Sequence, residues 1–250
     1  MPDKKLFGKT IRLSNVDNID TYPEDISPMF NWMQNIELPR NPTILDVGAN
    51  IGVFSMSYAS IFEGAEIHSF EPVPFIYNHL KRNLEINPNL NNNVHTHNFG
   101  MSNCVERQQL SIPVPRQHER YSKDLDIRLY SVLGQGEEKF DAQFTLIDHW
   151  VDDFQIRTVD FIKIDVEGYE YSVLEGATKT LLSFKPVVMF ELNQLTLTLS
   201  NRSADEYLRF ANDHGYNVFG LEYGYKSELL AINSVEQVDL ISDLILFPSS

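Results

Sequence analysis

Apolar positions along the chain fall into short unbroken runs that alternate with stretches of helical period. Ile44, Leu45 and Val47 form one such run, bounded by Pro42 and Gly48, which suits a strand buried on both faces. After Gly52, the residues Val53, Phe54, Tyr58, Ile61 and Phe62 recur at helical spacing until Gly64 stops them, and Glu66 to Phe70 reads as a second strand. Two strands with a helix between them and no room for a hairpin make a right-handed parallel crossover. The turn from Gly48 to Gly52 therefore lies at the carboxyl edge of a sheet, where open α/β sheets bind ligands.

The same alternation continues. Pro72 and Pro74 open a helix with Phe75, Ile76, His79, Leu80 and Leu84 on one face, ended by Asn87-Pro88. Residues 87–93 read as a surface loop and Val94 to Phe99 as a third strand. Leu110 to Phe140 is the least regular region, followed by a short strand at Phe144 to Ile147 and a helical stretch from Asp148 to Phe154. Phe161, Ile162 and Ile164 mark another buried strand, and Glu167-Gly168 opens a helix carrying Val173, Leu174, Ala177, Leu181 and Leu182. Pro186 introduces a strand from Val187 to Phe190. Ser203 and Glu206 form a capping box before a helix that Gly215 stops, and Tyr216 to Leu221 is a further strand. Asp243 to Phe247 follows it without an intervening helix, so it is expected to insert antiparallel. Lys9 to Leu13 reads as a short edge strand and Pro28 to Ile36 as a helix over the sheet or its cleft, with Trp32 in core packing. Residues 1–40 are thus expected to be an N-terminal extension packed on the core, and 41–250 the main domain.

The turn itself carries chemistry. It reads Asp46-Val-Gly48-Ala49-Asn50-Ile-Gly52, with Asn50 where the dinucleotide fingerprint G-x-G-x-x-G has its middle glycine; Asn is the non-glycine residue that best tolerates a left-handed backbone. Glu71 follows about 20 residues later, the spacing at which an acid ending the second strand meets ribose hydroxyls. Turn and acid together point to a nucleoside. The turn is similar to motif I of the S-adenosylmethionine (SAM)-dependent methyltransferases, whose cofactor has no phosphate to cradle. Pro72 directly follows the acid, and Gly100, Met101 and Ser102 close the third strand where an adenine would be flanked. Strand ends place Asp46, Glu71, Asp165 and Glu191 along one edge. Lys163 lies within a buried strand, where an ammonium is costly unless paired, and period two gives it Asp165, Asp46 or another acid as partner. His95 and His97 share a face as a metal pair does, but sequence places no third ligand, and a polar strand face is the reading adopted.

Composition narrows the partners. In 250 residues, 35 acids face 20 bases, a net charge of −15 that disfavours nucleic acid or anionic membrane as partner. Cys104 is the only cysteine, so no internal disulfide or cysteine zinc cluster forms and a reducing compartment is the default. The start has no apolar signal core and no run reaches a membrane-spanning length, so a cytoplasmic protein acting on a small molecule is expected. Arg116, His118, Arg120 and Lys123 cluster against the acidic balance, either as a substrate loop for an anionic or sugar-like acceptor or as a solvated excursion.

ILDVGANIG at 44–52, SFEP at 69–72, FIKIDVEGYEYSVLEGA at 161–177 and KPVVMFE at 185–191 together resemble the FkbM-type methyltransferases, from about Thr43 to the end of the chain. The resemblance implies an α/β class I methyltransferase fold, Rossmann-like, with a seven-stranded mostly parallel sheet, one antiparallel strand and helices on both faces. It implies methyl transfer from SAM, leaving S-adenosyl-L-homocysteine, to a hydroxyl of a saccharide or natural-product-like small molecule. By that resemblance Asp46, Gly48, Asn50 and Gly52 bound the methionyl part, Glu71 holds the ribose, and Asp165 stands near the sulfonium. The family's Leu-Asp-Asp before its fourth strand is here Leu146-Ile147-Asp148.

An alcohol must lose its proton on methylation, so Asp165 or Glu191 is assigned as base, with Glu167 or Asn193 orienting the acceptor and His118 and His149 as weaker candidates. Asp165, Glu191 and Asn193 are also the oxygen ligands that a Mg²⁺ ion would use, although spacing does not establish such a site. Two rivals stand beside this reading. A nicotinamide-dependent oxidoreductase is disfavoured by the absent G-x-G-x-x-G, and a non-catalytic nucleoside-binding or scaffold protein by Glu71, Asp165 and Glu167.

Overall fold

In the computed structural model, residues 3–6, 9–14, 32–111, 139–192, 194–222 and 228–249 are described. The first two strands, β1 (Asp3–Leu6) and β2 (Lys9–Arg12), pair antiparallel with each other. The edge strand expected at Lys9 to Leu13 is therefore half of a separate hairpin and not part of the main sheet. Its exit is tied to the core by Asn87, whose side chain accepts from Arg12 N–H at 2.9 Å and donates to Arg12 C=O at 2.7 Å. Ile11 and Leu13 are buried there. Trp32 packs its ring against Phe161 and Phe247; of the helix expected at Pro28 to Ile36, residues 28–31 lie outside the described residues, and the rest is helical only at Trp32 and Met33 before a turn closed by the Asn35 N–H on the Trp32 carbonyl at 2.9 Å.

The apolar runs assemble into one eight-stranded sheet. In chain order its members are β3 (Thr43–Val47), β4 (Glu66–Phe70), β5 (Val94–His97), then β9 (Phe161–Ile164), β10 (Val187–Glu191), β11 (Tyr216–Glu222), β12 (Leu229–Ala231) and β13 (Ile241–Pro248). Their spatial order is β12-β11-β13-β10-β9-β3-β4-β5. β9, β10, β3, β4 and β5 run parallel, and β13 inserts antiparallel between β10 and β11 as expected, although its connection from β11 runs through β12 and a 3₁₀ helix at Val235–Leu240. The count of seven is corrected to eight: β12 pairs antiparallel at the edge of β11, from a stretch too short and mixed to read as a strand alone.

A second correction concerns β6 (Gly100–Met101), β7 (Glu106–Ser111) and β8 (Lys139–Thr145), which form a separate three-stranded sheet ordered β6-β8-β7. The strand expected at Phe144 to Ile147 begins earlier and ends at Thr145. Its period-two pattern, with Ala142 and Phe144 buried between exposed Lys139, Asp141 and Gln143, is masked by those polar residues. Arg116, His118, Arg120 and Lys123 lie outside the described residues.

Helices α1 (Val53–Ile61), α2 (Pro74–Glu85) and the short α3 (Pro88–Asn91) follow β3 and β4; α4 (Ile147–Asp153) follows β8. The single helix expected after Glu167-Gly168 is two, α5 (Glu170–Glu175) and α6 (Thr178–Phe184). The break falls at Gly176, where a Cβ would collide with the Ser102 carbonyl, so glycine is what allows the chain to pass β6. Asp148 then caps the start of α6, accepting from Lys179 N–H at 2.9 Å and Thr180 N–H at 2.8 Å. Helices α7 (Gln194–Ser200) and α8 (Ala204–Asp213) complete the set, α8 opened by the Ser203–Glu206 capping box.

Alternate strand residues feed two cores. Ile44, Ile67, Phe161, Met189 and Ile245 pack on one side with Met56, Tyr58 and Leu80, while Leu45, Phe70, Ile162, Val188 and Leu244 pack on the other with Trp150, Leu174 and Tyr207. Lys163 and Asp46 belong by parity to the first side. That places them under the ligand-binding edge.

Candidate active site

The turn after β3 is held by its neighbours as well as by its own Gly52 N–H bond to the Ala49 carbonyl at 2.9 Å. Gly48 and Ala49 N–H donate to the Phe70 carbonyl at 3.0 and 2.9 Å, anchoring the turn to the end of β4. Gly48, Asn50 and Gly52 all have positive φ, at 76°, 51° and 89°. A Cβ at Gly48 would run into the Asp165 carbonyl, so the glycine is required by the close approach of β9 as well as by its φ. Asn50 steadies its left-handed backbone by accepting Ile51 N–H on its side-chain oxygen at 2.8 Å.

Glu71 ends β4 beside this turn. Its carboxylate accepts from Asn50 N–H at 3.0 Å and from Val73 N–H at 2.8 Å. Burial outweighs those two bonds and pushes its pKa up to about 7.

Beneath the turn lies the Lys163 ammonium, 2 % exposed. It sits 3.3 Å from both Asp46 and Asp165, donates to the Gly48 carbonyl at 3.2 Å and stands 4.8 Å above the Phe54 ring. Burial opposes its charge, but Asp165 and Asp46 more than compensate and hold its pKa above the ordinary lysine range. Asp46 also accepts from the Ser55 hydroxyl at 2.6 Å, which in turn accepts from Ser69 at 2.8 Å. One buried network thus joins β3, β4, α1 and β9.

These elements enclose a cleft at the carboxyl ends of the central strands. Asn50, Glu71, Asp165 and Glu167 supply its polar groups; Val47, Ile76, Met101, Leu110, Phe144 and Val166 supply the apolar ones, with Gly48, Pro72, Gly100 and Tyr169 completing it. Leu110 and Phe144 come from the small sheet, so β6, β7 and β8 form one wall. Oxygens of Asp165, Glu167 and Glu191 lie within 4.8 Å of one another. A proton shared among them, or a cation between them, would relieve their repulsion. Glu167 has φ 55° and is followed by Gly168 at 99°, the two positive angles that turn its side chain back toward β9. Burial first, then the charges of Asp165 and Glu191, push its pKa up to about 9.

The structure distributes the residues singled out by sequence as follows. Gly48, Asn50, Glu71, Pro72, Gly100, Met101, Asp165 and Glu167 face the cleft, and Glu191 reaches its carboxylate group from the end of β10. Asp46 does not: it is completely buried against Lys163 and Ser55, because its position within β3 points it under the turn. Ala49 is buried among apolar side chains, Gly52 abuts Leu80 at the start of α1, and Ser102 is buried behind β6, so none of these three lines the cleft. His149 is exposed on α4, and Asn193 and His118 lie outside the described residues. His95 and His97 do share a face, stacked with His68 at 5.0 and 5.6 Å in an aromatic cluster that includes Trp150. Sequence reasoning missed the apolar lining from Ile76, Leu110 and Phe144, and also Tyr169, whose hydroxyl accepts from Gln108 at 3.1 Å and donates to Glu106 at 3.4 Å. It also missed Asp243, buried at 5 % and paired in register with Glu191 across β13 and β10. An acid preceding the apolar run of the last strand was the available signal.

A mostly parallel sheet with an inserted antiparallel strand, and a cleft at the carboxyl ends of its central strands, define a class I, Rossmann-like methyltransferase fold. The methyltransferase FkbM domain matches residues 46–218, and the chain belongs to that family. The crystal structure of the FkbM methyltransferase from Methylobacillus flagellatus KT superposes with a TM-score of 0.53 at 17 % identity, covering 88 % of this chain and 50 % of that one. A precorrin-6y C5,15-methyltransferase from Geobacter metallireducens GS-15 gives 0.51 at 13 % identity, covering 95 % and 94 %. Among characterised sequences, methyltransferase sdnD of Sordaria araneosa is 31 % identical over 166 residues, 56 % of this chain and 61 % of the relative. AMB antimetabolite synthetase AmbE of Pseudomonas aeruginosa is 25 % identical over 213 residues, 73 % of this chain and 10 % of that protein. The chain therefore spans about three fifths of the first relative's length and a small part of the second's. No helix among the described residues is long and apolar enough to cross a membrane.

Proposed function

We propose that this protein transfers a methyl group from SAM to a hydroxyl of a polyoxygenated small molecule, a saccharide or a natural-product-like alcohol. The observation that carries the reading is the convergence of the left-handed turn at Gly48 to Gly52, the Glu71 carboxylate and the Asp165–Glu167 pair on one cleft. The cleft fits a nucleoside donor of this kind: Glu71 keeps carboxylate lone pairs beyond its two backbone bonds for ribose hydroxyls, and Ile76, Met101 and Phe144 offer apolar surface for a base. Among the described residues no basic side chain lines it for a pyrophosphate, in line with the missing dinucleotide fingerprint.

When bound, SAM supplies a methyl carbon activated by a cationic sulfur. The protein then has two tasks. It must hold the acceptor oxygen near that carbon, about 3 Å away, since positioning of this kind supplies much of the rate in a bimolecular transfer. It must also take the hydroxyl proton as the new C–O bond forms and the C–S bond breaks. Asp165, 3.3 Å from the Lys163 ammonium, is the assigned proton acceptor, and Glu167 and Glu191 flank it to orient the acceptor hydroxyl. The acidic surround disfavours anionic acceptors.

Calorimetric titration with SAM, and separately with NADH, tests this reading. Saturable SAM binding with no NADH binding is the expected result; NADH binding in place of SAM would overturn it.

A further inference from the structure

Glu170, like Asp46, is a buried acid near the cleft that does not line it. It is fully buried, and its Oε1 accepts from Val166 N–H at 3.2 Å and from Gly168 N–H at 3.1 Å. Those two amides flank Glu167 on either side. Between them the chain makes the successive positive φ angles of 55° at Glu167 and 99° at Gly168. A left-handed non-glycine residue is strained and persists only where its surroundings over-determine it. One carboxylate oxygen bonded on both sides of the turn is such a constraint.

The position also carries a cost of its own. Glu170 Oε2 has no hydrogen-bond partner among the described residues, and burial pushes the pKa of Glu170 up to about 7 despite the bonds from backbone N–H groups. A residue serving only to start α5 would be better placed as an exposed Ser, Thr or Asp at the cap. We infer that Glu170 is a positioning residue for Glu167: by bonding the amides of Val166 and Gly168 it folds the segment between them so that the Glu167 carboxylate meets Asp165 and Glu191 in the cleft. This deepens the proposed function, resting on Glu167 as part of the acceptor site. Where Glu167 points depends on a side chain three residues away that never touches a ligand.

The test is run on the ligand-free protein, so that a failure to bind SAM leaves it intact. Protein labelled at the glutamate carboxyl carbon is titrated by NMR, and the Glu167 signal is assigned by its loss in Glu167→Gln. In the unmodified chain Glu167 is expected to titrate near 9, well above 4.5. Glu170→Gln keeps an oxygen acceptor and is expected to hold that midpoint to within about one unit, the difference reflecting the lost Glu170 charge. Glu170→Ala is expected to release the turn and lower the midpoint by about two units or more. Glu170→Met, which conserves volume without an acceptor, gives the same reading should the alanine variant fail to fold. An unshifted midpoint in the alanine or methionine variant overturns the inference, and so does a glutamine variant shifted as far as alanine. A purely structural Glu170 would lower the melting temperature and shift the Glu167 midpoint in the alanine and methionine variants no further than in the glutamine variant, where only the Glu170 charge is lost.

Discussion

Lys163 holds two carboxylates that would otherwise repel each other across the β3–β9 boundary, and among the described residues no other cation contributes to that network. Replacing it with Met leaves Asp46 buried and uncompensated, a change that costs on the order of 3–5 kcal/mol in comparable cases. Chemical denaturation should show a loss of that size, and SAM affinity should fall with it because the Gly48 carbonyl loses its donor. Asp165 belongs to the same network but faces the cleft. Asp165→Asn should keep SAM binding within a few-fold and reduce methyl transfer by about 10²–10⁴-fold, the usual weight of a general base. Undiminished turnover on an identified acceptor removes Asp165 from that role. Gly48→Ala tests the turn: a positive φ and a Cβ driven into the Asp165 carbonyl should cost roughly 1–3 kcal/mol and abolish tight SAM binding, measured by denaturation and calorimetry.

Strands β4 and β5 pair in register so that His68 faces His95, with His97 stacked on Phe70 at 4.7 Å. The titratable groups facing His68 are Glu66 at 3.5 Å, His95 and His97. Burial first, then the neighbouring histidines, lowers the pKa of His68 to about 3, and burial with His95 lowers that of His97 to about 4. These rings are neutral in the fold, whereas the unfolded chain takes up protons near 6.5. Their contribution is therefore intact above pH 6.5 and is lost as the pH falls toward the folded values. Between pH 7 and pH 5 the share of His68 alone is about 2 kcal/mol. His68→Phe should show a smaller loss of unfolding free energy over that interval, by about that amount. Glu71, Glu170 and Glu167 act in the opposite sense: their raised pKa values add stability below about 4.5 that disappears as the pH rises through 7 and 9. Comparing variants at two pH values separates the two groups.

At the scale of the whole molecule, the main sheet brings the ends of β3, β4, β9 and β10 to one cleft while one wall comes from the small sheet of β6, β7 and β8. Ligand binding should stabilise all of them together. At SAM concentrations about 100-fold above its Kd, linkage adds about 2.7 kcal/mol, which for a chain of this size raises the melting temperature by roughly 5–10 °C. NADH at the same concentration should leave it unchanged. The net charge of −15 favours neutral or cationic acceptors over anionic ones at every step of approach.

Sequence by itself determined what depends on neighbours along the chain. The unbroken run Ile44 to Val47, the helical spacing after Gly52 and the acid 19 residues after Gly52 are local signals, and they were enough for the parallel crossover and a turn at the carboxyl edge of the sheet, while the stretch before Asp243 was enough for the antiparallel final strand. They also showed that Lys163 needed an acid. Tertiary structure alone decided which acid, and the answer was two: register sets Asp46 opposite Lys163 across β3 and β9, while Asp165 follows on the same strand. The same holds for Asp46 turning under the cleft, for Glu191 and Asp243 meeting at its edge, and for Leu110 and Phe144 walling it. Those arrangements depend on pairing between segments far apart in the chain, and hydrophobic period carries no record of which strands pair or in what register.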